Sequence, residues 1–103
     1  NVPPADEVFF DERFALAQRL ASRQPHNNAL TAVQSDVTHI WTRSLNHLSQ
    51  QKPLSLRGVT TESFYFCLKT LLESNLKTTA QIERVSKDLY AWSIETALTN
   101  KTG

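Results

Sequence analysis

The chain has 103 residues, of which 40% are hydrophobic and 20% charged, and its formal net charge is +1. That apolar content is enough for one buried core and excludes a disordered chain, while the near balance of charge excludes a molecule that binds polyanions over its whole surface. Gly occurs 2 times and Pro 4 times, and since all-β domains draw on these residues for tight turns, the composition predicts a single all-α domain with few loops.

The first predicted helix follows Pro3 and Pro4, which hold the approach extended. Asp6, Glu7, Asp11 and Glu12 lie near its start and Arg19 and Arg23 near its end, the distribution that complements a helix dipole, and Pro25 stops it. Phe9, Leu16 and Leu20 form a stripe flanked by Phe10, Phe14, Ala17 and Ala21, so this helix is expected to face the core.

The second helix has capping candidates at Asn27 and Asn28. Leu30, Val33, Val37, Ile40, Trp41, Leu45 and Leu48 follow at steps of three and four, apart from the adjacent Ile40 and Trp41, and Gln34, Asp36, Thr38, Arg43 and Gln50 lie opposite. The helix is expected to end near Gln51, ahead of Pro53.

A loop containing Pro53 and Gly58 precedes a third helix capped by Thr60 or Thr61, with Glu62 in its first turn. From Thr61 to Asn100 there is no Gly or Pro, and Phe64, Leu68, Leu71, Asn75, Thr78, Ile82, Val85, Leu89, Trp92 and Thr96 form a heptad-like seam. Unbroken, this helix would run about 60 Å, against a radius of gyration of about 13 Å for a domain of this size. Either it breaks near 74–79, where Thr78 and Gln81 have capping-box spacing, or another chain covers the overhang. The break is the favoured alternative. The expected fold is then a small antiparallel bundle of three to four helices, with Phe10, Phe14, Leu16, Leu20, Val33, Val37, Ile40, Leu45, Leu68, Leu71, Ile82, Val85 and Leu89 in its core.

The segment KDLYAWSIET, Lys87 to Thr96, resembles the closing helix of phasins, helical proteins that coat polyester storage granules. The resemblance implies an amphipathic helix that packs on an apolar granule or lipid surface, and it carries over no functional residue.

Reactive constellations are sparse. His39 and His47 share a predicted helix face about 12 Å apart, too far for one tetrahedral ion, so no metal is expected. Cys67, the single cysteine, lies beside the apolar seam and reads as a buried, inert thiol. There is no Gly-x-Ser-x-Gly turn and no phosphate-cradling glycine loop, so neither an enzyme nor a bound cofactor is expected. The favoured function is therefore a non-enzymatic interaction module: an adaptor, regulator or assembly subunit. It would bind another protein, or a second copy of itself, through Tyr65, Leu72, Leu76, Tyr90 and Trp92. The bases of 13–57 offer an alternative, nucleic-acid binding through Arg43, Lys52 and Arg57. A lone cysteine and the lack of a long apolar run fit a cytoplasmic protein without a transmembrane segment, and an opening Asn1 leaves open whether the chain is part of a longer one.

Overall fold

The computed structural model describes residues 4–26, 30–34, 45–74 and 76–98. In chain order its elements are β1 (Glu7–Asp11), α1 (Ala15–Ser22), β2 (Thr31–Val33), α2 (Asn46–Gln51), β3 (Ser55–Thr60), α3 (Glu62–Glu73), β4 (Lys77–Arg84) and β5 (Tyr90–Ala97). This overturns the all-α bundle. The protein is a mixed α/β structure built on a five-stranded sheet in the order β2-β1-β3-β5-β4. β1 lies parallel to β2 and β3, and β5 lies antiparallel to both β3 and β4.

The first predicted helix divides because Val8, Phe9 and Phe10 are buried on both sides of the chain. Val8 and Phe10 pack toward α1, and Phe9 packs toward α3. A short apolar run suits a central strand or a buried helix equally well, and two-sided burial selects the strand. The acids assigned to a helix dipole are spent elsewhere: Glu7 and Asp11 belong to β1, and the first turn of α1 contains no acid. Of the second predicted helix, Thr31–Val33 is strand β2 and Asn46–Gln51 is α2. Asn27, Asn28, Val37, Ile40 and Trp41 lie outside the described residues.

α3 forms where a helix was expected. Thr61 caps it, its hydroxyl accepting the Phe64 N–H at 3.4 Å, and Glu62 occupies the first turn. Beyond Glu73 the chain does not start another helix but extends into β4. In β5, Trp92, Ile94 and Thr96 are buried while Glu95 and Ala97 are exposed, the period of two that a strand requires. Lys87 and Asp88 sit in the hairpin turn and Tyr90 to Thr96 in β5. The segment resembling the phasin helix is therefore a turn and a strand, with no amphipathic helix to lie on an apolar surface.

Few glycines proved no obstacle to a sheet. Among the described residues none has positive φ, so the turns use backbone conformations open to any residue. The β4–β5 hairpin closes by hydrogen bonds from the Val85 and Ser86 N–H groups to the Leu89 carbonyl, at 3.0 and 3.3 Å. The Arg84 guanidinium donates to the carbonyls of Ser86 and Lys87, both at 3.1 Å.

Helices cover both faces, but unequally. Phe64, Leu68 and Leu72 of α3, with Leu45, pack on Phe9, Leu56, Trp92 and Ile94. On the other face Ala17 and Ala21 of α1 pack on Val8, Phe10 and Val59. Ile82, expected in the core, is 39% exposed on β4.

Candidate functional site

β3 divides its side chains by parity. Leu56, Gly58 and Thr60 point toward α3, and Arg57 and Val59 toward α1. The short α1 packs mainly over β1 and β3, and beyond the apolar patch of Val59, Leu89 and Ala91 the sheet presents Ser93, Gln81 and Glu83 on this side. Ladder register sets Arg57 opposite Ser93, and Ser93 opposite Gln81, giving one row across three strands. Glu83 stands one step along, opposite Ala91. The chain leaving α1 supplies a wall, where the Gln24 side-chain oxygen accepts a hydrogen bond from Arg57 Nη1 at 3.2 Å. Gln24, Arg57, Gln81, Glu83, Ala91 and Ser93, with Gly58, Ile82 and Trp92, enclose an open cavity of about 350 Å³. It offers a guanidinium, an amide, a hydroxyl and a carboxylate from the sheet and a second amide from Gln24. Such a set suits polar groups of both signs and both hydrogen-bonding senses.

The opposite side of the same strands is a dry lock that keeps this row in register. The Trp92 indole N–H donates to Thr60 Oγ1 at 2.8 Å, and the Thr60 hydroxyl donates to the Thr61 carbonyl at 2.9 Å. The indole stacks on Phe9 with ring centroids 6.3 Å apart and meets Tyr65 at 5.8 Å. It also lies directly over Gly58, where a Cβ would come within 2.3 Å of the ring. Gly58 is therefore required by close approach.

A second polar cluster occupies the carboxyl end of β1, the end at which open α/β sheets often hold ligands. Asp11 is fully buried there. It accepts hydrogen bonds from the Arg13 backbone N–H at 3.0 Å, from Nε at 2.9 Å and from Nη2 at 2.6 Å. Burial alone pushes the Asp11 carboxyl up, but hydrogen bonds from the Arg13 side chain and backbone, together with its charge, outweigh that and hold it below the ordinary value. These bonds engage both oxygens, so the cluster is a structural clamp between β1 and the start of α1.

The sequence-predicted contact residues do come together, but in the interior. Tyr65, Leu72, Leu76 and Trp92 are buried in the core between α3 and the sheet, and Tyr90 is half-buried between Thr60 and Arg84 of the neighbouring strands. The outward side of α3 instead presents Phe66, 64% exposed, and Cys67, whose thiol is exposed rather than buried as expected. Of the predicted basic set, Arg43 lies outside the described residues. Lys52 is exposed with its ammonium 3.5 Å from Asp6, and Arg57 belongs to the groove. Sequence reasoning missed Gln24, Gln81, Glu83 and Ser93. The alternation of Trp92, Ser93, Ile94, Glu95 and Thr96 was the signal that could have found Ser93.

Among the described residues no three His, Cys, Asp or Glu side chains are placed to hold a metal ion, and His39 lies outside them. No described helix is long and apolar enough to cross a membrane. No protein-family model matches the chain, nor does any curated protein or solved structure.

Proposed function

We propose that this protein is a non-enzymatic interaction module whose working surface is the uncovered polar face of β3, β5 and β4. The observation that carries this reading is the row Arg57–Ser93–Gln81 beside Glu83, laid across three strands and walled by Gln24. Preorganised donors and acceptors on a rigid sheet bind a polar partner without the ordering cost that a loop would incur. The mixture of charge favours a polypeptide, which brings carbonyls, amides and side chains of either sign. A phosphate backbone would meet the Glu83 carboxylate inside the groove, which weighs against nucleic acid. The lone cysteine suits a reducing compartment, and the cytoplasm is the proposed setting.

Site-specific photo-cross-linking tests this. A photoreactive amino acid replacing Ser93 is expected to form adducts with a partner protein in cells. The same group replacing Gln18, exposed on the outer side of α1, is expected to form none. The reading fails if position 93 yields no adduct, or if both positions yield the same ones.

A further inference from the structure

β4 is the last strand of the sheet and pairs only with β5 among the described residues. Its hydrogen-bonding parity follows from the turn, where the Val85 N–H donates to the Leu89 carbonyl. In an antiparallel ladder alternate residues exchange bonds with the partner strand. Lys77, Thr79, Gln81 and Glu83 therefore bond to β5. Thr78, Ala80, Ile82 and Arg84 direct their N–H and C=O groups outward, along an edge of 8 residues. An unpaired edge of this length is a template for another strand.

We infer that this edge pairs with itself: two copies join antiparallel through β4 about a twofold axis at Ala80, and Lys77 of each faces the partner's Glu83. The inference deepens the proposed function by naming a second copy of the chain as the occupant of this edge. A twofold axis perpendicular to the sheet keeps its faces continuous, so only residues of equal parity meet, and the register is fixed by the residue at the axis. With Ala80 there, Lys77 faces the partner's Glu83, Glu83 faces the partner's Lys77, and Thr79 faces the partner's Gln81. Moving the axis to Thr79 sets Lys77 against the partner's Gln81. Moving it to Gln81 sets Glu83 against the partner's Thr79. Both shifts lose both charge pairs.

The two charges also stand at positions of non-hydrogen-bonded pairs, where facing Cα atoms are only about 4.5 Å apart and side chains interact most closely. Within one chain they are about 20 Å apart along the strand, too far to meet. Neither joins an ion pair among the described residues. Charges on an edge commonly prevent pairing, but two opposite charges spaced symmetrically about Ala80 instead specify one self-complementary register. Ile82, partly exposed in the single chain, gains the partner's Thr78 as its cross-strand neighbour. Lys77, Gln81 and Glu83 lie on the groove side, so pairing joins the two polar faces into one surface.

The test is light scattering on a size-exclusion column over a wide concentration range, applied to the natural chain, Lys77→Glu, Glu83→Lys and the double variant. The natural chain is expected at twice its 11.7 kDa monomer mass. Each single reversal sets like charges opposite each other twice, and dimerisation is expected to weaken by about tenfold. The double variant regenerates the pairs with their signs exchanged and is expected to recover. Ala80→Pro removes an outward N–H while sparing the β4–β5 ladder, and is expected to yield a folded monomer with an unchanged circular dichroism spectrum. A natural chain that stays monomeric overturns the inference, as do single reversals without effect or a double variant that does not recover. If the chain is monomeric yet Ser93 still cross-links to another protein, self-pairing falls and the interaction reading stands. A charge-dependent dimer without cross-links to other proteins upholds self-pairing and removes the wider reading.

Discussion

Asp11 shows how little a residue's type says about its task. In the sequence it is one of four acids near a helix start; in the structure it is a buried carboxylate clamped by Arg13. Its carboxyl is held below the ordinary value of about 3.9, so its contribution to stability is fully present above that pH and is lost as pH falls through the lower folded-state value. Asp11→Asn is expected to cost about 2 kcal/mol at neutral pH, with Arg13 half exposed and its pairing discounted accordingly. In urea unfolding the gap between variant and natural chain should narrow as pH falls below the ordinary carboxylate value and close only once it passes the lower folded-state value, where the Asp11 carboxyl is protonated in both states. A gap that persists there would mean the clamp does not act through charge. Gly58 and Thr60 hold Trp92 from below and from its edge. Gly58→Ala forces the indole aside and is expected to cost about 2 kcal/mol by overpacking. Thr60→Val leaves a buried indole N–H without its acceptor and is expected to cost a similar amount, about 2 kcal/mol. Both act on one ring, so the double variant should lose less than the sum, as thermal melts followed by tryptophan fluorescence would show.

At the scale of elements, α3 was legible because its signals are local: the Thr61 cap, Glu62 in the first turn, and Phe64, Leu68 and Leu71 at helical spacing, although the structure buries Leu72 rather than Leu71 fully. The heptad-like seam continued past Glu73 because Thr78, Ile82, Val85, Leu89, Trp92 and Thr96 happen to fall at steps of three and four, of which Thr78, Ile82, Trp92 and Thr96 lie in strands. These last four also satisfy a period of two within β4 and β5, and β-branched threonines favour the extended choice. Cys67 illustrates the cost of placing the seam one position off. It lies on the outer side of α3, so native protein is expected to react fully with a thiol reagent at a rate near that of unfolded chain, and Cys67→Ser to change stability by less than about 0.5 kcal/mol. Protection of the thiol until denaturant is added would contradict this placement of α3.

For the whole molecule the decisive fact is unequal cover. α3 and α2 shield one face, and the shorter α1 shields only part of the other. The remainder of that face carries Arg57, Ser93, Gln81 and Glu83, and its outer boundary is the β4 edge. The cross-linking at Ser93 and the charge reversals at Lys77 and Glu83 therefore probe neighbouring parts of one surface. The radius of gyration is 13.2 Å, near the value expected for a domain of this length, although the principal extents are 47 × 30 × 23 Å.

By itself the sequence determined a foldable apolar content, a near-neutral charge and a capped helix after Thr61, and it favoured an end to that helix near 74–79 without deciding it. These are set by composition or by contacts within a turn or two of the chain. It did not reveal that Val8–Phe10, Leu56–Val59 and Trp92–Thr96 are neighbouring strands, because strand pairing is a property of residues far apart in the chain. Nor did it show that the aromatic residues chosen as a contact surface are core. Burial is decided by what packs above a side chain, and here α3 packs its own apolar side onto Trp92. Only the tertiary structure could place Gln24, Arg57, Gln81, Glu83 and Ser93 together. They come from α1's exit, β3, β4 and β5, and the sheet register together with the packing of α1 against β3 brings them within reach of one another.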